Sequence, residues 1–295
     1  MASIAYITDY NLLELHRINC HKEMNFWRLS LNNFTNFEVG DLLFFLSKDK
    51  DKMRRREKGI VGYGRAAKFE NYALNTMWKK YGDLNGYRTK EDFREAVAKV
   101  AKDHKVPSKI SSIYLQDVVF FQDPIYLSDC GMEISKLVES YIYLDNEGKV
   151  SFNILDQAKG SEDLWSSFDQ NDNLIIEKEQ IRNALYCTYD EIKLNESRNI
   201  RNSKQELLKY ILPKSGYSLI KDSNLEGYAI NENNLTIVFA PLFDSDVHKE
   251  YRTLIGQAQF YRTLMSERYP YDLNIRFVTA NHDKLLEYYL NKKNF

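Results

Sequence analysis

The 295-residue chain carries 41 basic and 42 acidic residues, a formal net charge of -1. No global field therefore attracts a polyanion, and nucleic-acid binding would have to rest on local patches. The length suits about two domains of common size. Five prolines and 12 glycines exclude collagen-like or low-complexity segments.

Cys20, Cys130 and Cys187 are far apart and form no CxxC pair, and His16, His21, His104, His248 and His282 show no HxxxH or HExxH spacing. That pattern argues against a zinc site. Met1-Ala-Ser-Ile-Ala-Tyr6 lacks a charged leader followed by an apolar core. No apolar run approaches ~18–20 residues. The expectation is a cytoplasmic protein with no membrane contact.

Ile4 to Thr8 predicts a strand, and Asp9 is placed to cap a helix carrying Leu12, Leu13 and Leu15. The stretch from Glu23 to Asp41 leads into one β-hairpin, Phe37 to Phe69. Its arms are Asp41 to Ser47, nearly all apolar, and Gly59 to Arg65, β-branched and glycine-punctuated. Its tip, Lys48 to Lys58, holds seven cations against three carboxylates and is expected to project into solvent. Phe26, Trp27, Tyr63, Phe69, Tyr72 and Trp78 lie nearby in sequence. Cations beside aromatics are what phosphate neutralisation with base stacking requires; the plain alternative is a solvated turn beside an aromatic core.

After the hairpin, a helical insertion is predicted over 73–107, with Phe93, Val97 and Val100 at helical spacing. Ile110 to Leu115, Val118 to Phe121, Pro124 to Leu127 and Ser140 to Leu144 read as further strands. Many short strands with helices between them suit a small mixed β-barrel rather than alternating βαβ units. Residues 151–202 are polar and read as a helical connector, with a helix over Glu177 to Ile192. From Ser203 the order is helix, three strands, helix, strand, helix, a three-layer α/β plan of about 90 residues. The domains are thus 1–150, 151–202 and 203–295.

The first of these resembles the EVE and YTH branch of the PUA-like superfamily. The carrying residues are Val39-Gly40-Asp41 with the apolar run to Phe45, Gly59-Ile-Val-Gly62, and a late stretch with Ile113, Phe120, Phe121, Pro124, Ile125 and Leu127. Asn25-Phe26-Trp27-Arg28 lies where that family has an asparagine-aromatic-arginine run. The long cationic tip and the insertion depart from the pattern. The resemblance implies an aromatic pocket for a flipped or unstacked modified base, on DNA for EVE-like domains and on RNA for YTH domains. A flipped base needs an aromatic wall, a few polar groups for its edge, and cations for the phosphates. On that reading Trp27 and Trp78 stack first, with Phe26, Tyr63 and Tyr72 behind them. Asn25 and Ser30 bond the base edge, and Arg28, Arg54, Arg55, Arg56, Lys58 and Arg65 meet phosphates.

The last 90 residues resemble the PD-(D/E)xK nuclease fold, through Gly256-Gln-Ala-Gln-Phe-Tyr261 and the element order. The family's acid-x-lysine triplet would hold Mg²⁺ and activate water. Here the matching strand reads Thr236-Ile-Val-Phe-Ala-Pro241, and phenylalanine and proline do neither. Either the fold is degenerate and kept for binding or dimerisation, or the acids have moved. Glu206, Glu226, Glu232, Asp244 and Asp246 are then the candidates, with Lys249 as the cation. Gln257 and Tyr261 would line the groove in both cases.

The fold class expected is therefore α+β: a PUA-like mixed β-barrel with a helical insertion, followed by a three-layer α/β restriction-endonuclease-like domain. The function expected is recognition of modified double-stranded DNA in a phage-defence or restriction setting. The alternatives are an active modification-dependent endonuclease using Mg²⁺ and a YTH-like reader of modified RNA. A homodimer through the C-terminal domain is a further candidate.

Overall fold

A computed structural model describes residues 3–54, 56–133, 138, 140–144, 148–159, 171–193, 200–243 and 246–292. They form two compact units, Met1–Ile176 and Glu177–Phe295.

The first unit opens with β1 (Ile4–Thr8), α1 (Tyr10–Ile18), β2 (Met24–Arg28), β3 (Leu42–Ser47) and β4 (Gly59–Tyr72). The insertion follows as α2 (Leu74–Tyr81), a short 3-10 turn at Gly82–Asn85, and α3 (Lys90–Val100). β5 (Ile110–Tyr126), β6 (Tyr141–Tyr143) and α4 (Lys149–Ala158) complete it. The three short strands expected after residue 110 are one continuous β5. Its pairing with β4 shifts register between Ile60 and Gly62, Tyr63 and Arg65, and Ala66 and Lys68. At the first shift a Cβ on Gly62 would sit 2.4 Å from the Val119 carbonyl oxygen, so only glycine lets the strands approach there.

The strand order is β2-β5-β4-β3-β1-β6, with β1 and β3 parallel and the other pairs antiparallel. This corrects the expected closed barrel: the described ladder is an open mixed sheet with β2 and β6 at its edges. β3 explains the burial logic. Leu42, Phe44 and Leu46 enter one core with Val150, Ile154 and Leu155 of α4, while Leu43 and Phe45 enter a second with Leu12 and Leu13 of α1. A strand covered on both faces needs no polar alternation, which is why it reads as an unbroken apolar run. Asp9 caps α1 by accepting from the Asn11 amide.

The cationic tip is not a free arm. Arg54 pairs with Asp129 at 2.6 Å and lies over the Tyr126 ring, whose hydroxyl donates to Asp51. Glu57 accepts from the Ser128 amide and hydroxyl, and Lys58 donates to the Val138 carbonyl. The loop supplies both signs of charge, so it folds onto the end of β5 instead of projecting. In the insertion, Phe93 and Val97 are buried as expected, but Val100, the last residue of α3, is 63% exposed.

The second unit comprises most of α5 (Asn171–Ile192), then α6 (Ile200–Ile211), β7 (Tyr217–Leu219), β8 (Glu226–Asn231), β9 (Asn234–Phe239), α7 (Val247–Arg268), β10 (Asn274–Thr279) and α8 (Lys284–Asn291). The sheet order is β10-β9-β8-β7, with β9 and β10 parallel and the other pairs antiparallel, a second mixed sheet. Val238, Ala240 and Val278 pack on Leu207 and Ile211 of α6. Phe239 and Phe277 stack 5.7 Å apart and meet Tyr261 of α7. Helices therefore pack against both faces of this sheet. Among the described residues, no helix is long and apolar enough to cross a membrane.

Candidate functional site

The first unit has a concavity of about 50 Å³ between α1 and the sheet, lined by Thr8, Tyr10, Leu13, Glu14, Arg17, Ser47, Val61 and Phe120. It lies where β1 and β3 end and the cationic tip begins. Tyr10 is 54% exposed. Tyr10, Glu14 and Arg17 follow one another at i, i+4 and i+7, so one stripe of α1 supplies a ring, a carboxylate and a guanidinium. Glu14 Oε2 is buried and has no hydrogen-bond partner. A buried carboxylate oxygen left unbonded costs about 1–3 kcal/mol or more. The space holds a few waters or the edge of a planar heterocycle. Asp9 and Lys48 pair at 3.7 Å, one at the start of α1 and the other just past β3.

A second cluster bridges the two open edges of the sheet. Arg28 on β2 stacks on Phe34, its carbon 4.0 Å from the ring centroid, donates to the Asn32 carbonyl and lies beside the Tyr6 hydroxyl of β1. Tyr6 lies 5.0 Å from Phe26 and stacks on Tyr141 of β6 at 5.7 Å; Phe34 meets Tyr141 at 5.0 Å. Thus side chains close the seam that backbone hydrogen bonds leave open. Burial raises the Tyr6 hydroxyl above its ordinary value, against the pull of Arg28, and burial likewise raises Tyr141. Both hydroxyls stay protonated near neutrality.

The base-contact residues expected from sequence divide among several places. Phe26 and Arg28 join the seam. Trp27 and Trp78 are half-buried and pack instead around Phe93 of the insertion, at 5.6 and 6.1 Å, and the Trp27 indole N–H has no partner. Tyr72 takes a hydrogen bond from Lys80 beside Glu70. Asn25 is wholly buried, donating to Asn85 and accepting from Ser112. Tyr63 is wholly buried in the α4-side core, and Ser30 is exposed.

Among the phosphate candidates, Arg65 is buried and donates to the Gly40 carbonyl. Arg54 and Lys58 are engaged as described, Arg56 is exposed at a positive φ of 64°, and Arg55 lies outside the described residues. The sequence reading missed Tyr10, Glu14 and Arg17. Their helical spacing was the available signal, in a helix whose leucines drew attention to its other face.

In the second unit, Glu226 is buried at the start of β8, opposite Phe239 of β9. It accepts from Ser223 and, at 3.4 Å, from Gln257. Tyr261 is fully buried, and burial followed by the charge of Glu226 raises its hydroxyl well above the ordinary value. Gln257 and Tyr261 thus face packed interior. Asp246 caps α7 by accepting from the His248 and Lys249 amides, Glu206 accepts from Lys209, and Asp244 lies outside the described residues. Among the described residues, no group of three or more His, Cys, Asp or Glu converges to hold a metal ion.

No protein-family model and no curated protein matches this chain. It is similar to a solved structure of ASCH from Zymomonas mobilis at 12% identity and a TM-score of 0.36, covering 52% of this chain and 94% of that one. Two mutant forms of that protein give 12% and 11% identity, each with a TM-score of 0.37 and 52% of this chain covered, against 96% and 95% of theirs. A likeness at that level carries no functional weight.

Proposed function

We propose that the first unit binds nucleic acid and admits the edge of one unstacked base to the concavity under α1. The ligand is modified double-stranded DNA, in a restriction or phage-defence setting. The observation that carries this is the unbonded Glu14 oxygen beside Tyr10 and Phe120. A carboxylate accepts from the exocyclic amine of cytosine or adenine, and aromatic faces hold a base of any sequence. Trp27 of β2, with its unbonded indole N–H, and Trp78 of α2 offer a further half-buried aromatic surface around Phe93 of the insertion.

The element order and sheet order of the second unit support the restriction-endonuclease-like reading given for it. β9 carries no acid-x-lysine triplet, and the reading rests on base recognition, with cutting by relocated acids an outcome of the test below.

Fluorescence anisotropy with duplexes carrying modified or plain cytosine and adenine tests the reading. The modified duplex binds tighter, and Glu14→Gln or Tyr10→Ala lowers affinity about tenfold, the equivalent of ~1.4 kcal/mol. Equal affinity for modified and plain duplexes sinks the reader. Tighter binding of the matching RNA moves it to the YTH-like alternative, since the 2′-OH decides between them. Mg²⁺- or Mn²⁺-dependent cleavage of the same duplexes would establish the endonuclease instead.

A further inference from the structure

Arg28 is 8% exposed, and no carboxylate among the described residues pairs with it. Its neighbours are Phe34, the hydroxyls of Tyr6, Tyr141 and Tyr143, and the Asn32 carbonyl. Its Nε is buried and unbonded. A guanidinium remains charged in any protein environment, and a buried charge without a counter-charge is costly to hold. Tyr6, Phe34, Tyr141 and Tyr143 are each only half-buried, so each ring of the box keeps some surface in contact with solvent. Tyr143 accepts from the Thr35 and Asn36 amides and lies beside the Tyr141 hydroxyl.

The geometry points to a phosphoryl-anion site in this box, with Arg28 and the tyrosine hydroxyls as donors and a backbone phosphate as its occupant. It deepens the function proposed above and rests on it for the source of the phosphate. Guanidinium and phosphate match in charge and in fork geometry, and the pairing replaces the missing counter-charge. The box adjoins the concavity. Tyr6 on one and Thr8 on the other are two residues apart on the same face of β1, about 6–7 Å along a strand. One nucleic-acid strand can therefore place a base edge in the concavity and a phosphate on Arg28. The bland reading is that Arg28 only clasps β2 to β1 and β6, and that reading predicts no response to anions.

The test is NMR of the full-length protein, following the Arg28 Nε–Hε resonance identified by its loss in Arg28→Lys. The protein is titrated separately with inorganic phosphate and with a short modified oligonucleotide, using chloride at equal ionic strength as the control. A saturable shift with both, or with the oligonucleotide alone, supports the site. A shift with phosphate alone supports the anion site and removes the nucleic-acid backbone as its occupant. No shift with either overturns it, whatever the anisotropy measurements give. Phe34→Leu, which keeps the charge and removes the stacking face, is expected to weaken phosphate binding about threefold to tenfold. If that variant does not fold, the wild-type titration still decides.

Discussion

Glu14 in the first unit and Tyr261 in the second each hold a buried oxygen with no hydrogen-bond partner. Their surroundings differ. Glu14 borders a concavity beside a ring that is 54% exposed, so its unmet bond lies next to open space. Tyr261 is wedged against Phe239 and Phe277, fully buried, and no ligand can reach it without unfolding. The same local deficit is a binding opportunity in one unit and a packing compromise in the other. Substitutions in the two places should therefore separate binding from stability.

The largest effect is expected for Tyr261→Ala. Removing a fully buried ring costs roughly 3–5 kcal/mol, from lost transfer energy and the cavity left behind. Urea denaturation followed in the second unit measures it, and a loss below about 1 kcal/mol would mean that the α7 core is looser than its stacking distances imply.

An acid limb comes next, from α1. His16 is wholly buried on α1, its Nδ1 3.1 Å from that of His21. Burial, then the charge of His21, lowers it from 6.5 to about 3. As pH falls, the unfolded chain takes this proton first, so the contribution is complete above about pH 6.5 and is lost as pH falls towards about 3. At pH ~4.5 the loss is about 2–3 kcal/mol. His16→Asn should flatten the stability curve of the first unit over that interval. An unchanged curve would remove His16 as the cause.

These regions were unequally legible in the sequence. The hairpin arms announced themselves because a strand buried on both faces becomes a continuous apolar run. The helices of the second unit did so through their 3.6-residue period. The closed barrel was overdrawn, because the sequence marks strands but not whether the two edge strands bond to each other. Trp27 and Trp78 drew the stacking role as large, rare rings near a cationic loop; only the fold shows Phe93 between them. Tyr141 and Tyr143 read as strand residues, and nothing local reveals that β6 comes to face Arg28 across more than a hundred residues of chain.

Glu14→Leu sharpens the comparison at smaller cost. It exchanges a side chain with one buried, unbonded carboxylate oxygen for an apolar one, so stability should change by no more than about 1 kcal/mol. Affinity for a modified duplex should still fall about tenfold or more. If stability falls sharply and binding persists, Glu14 is a structural residue and the concavity is not the site.

The smallest and most discriminating change is Tyr261→Phe. It deletes one oxygen and leaves every ring contact in place. In an ordinary buried tyrosine the lost hydrogen bond would cost about 1 kcal/mol. Here the hydroxyl has no partner and sits near the Glu226 carboxylate, and its desolvation is uncompensated in the folded state alone. Deleting it should leave stability unchanged or raise it by up to about 1 kcal/mol, with no change in nucleic-acid affinity. A clear loss of stability would show that the hydroxyl is bonded after all, through a bridging water to Glu226. The second unit would then hold a hydrated polar pocket comparable to the concavity in the first, and the contrast between them would fail.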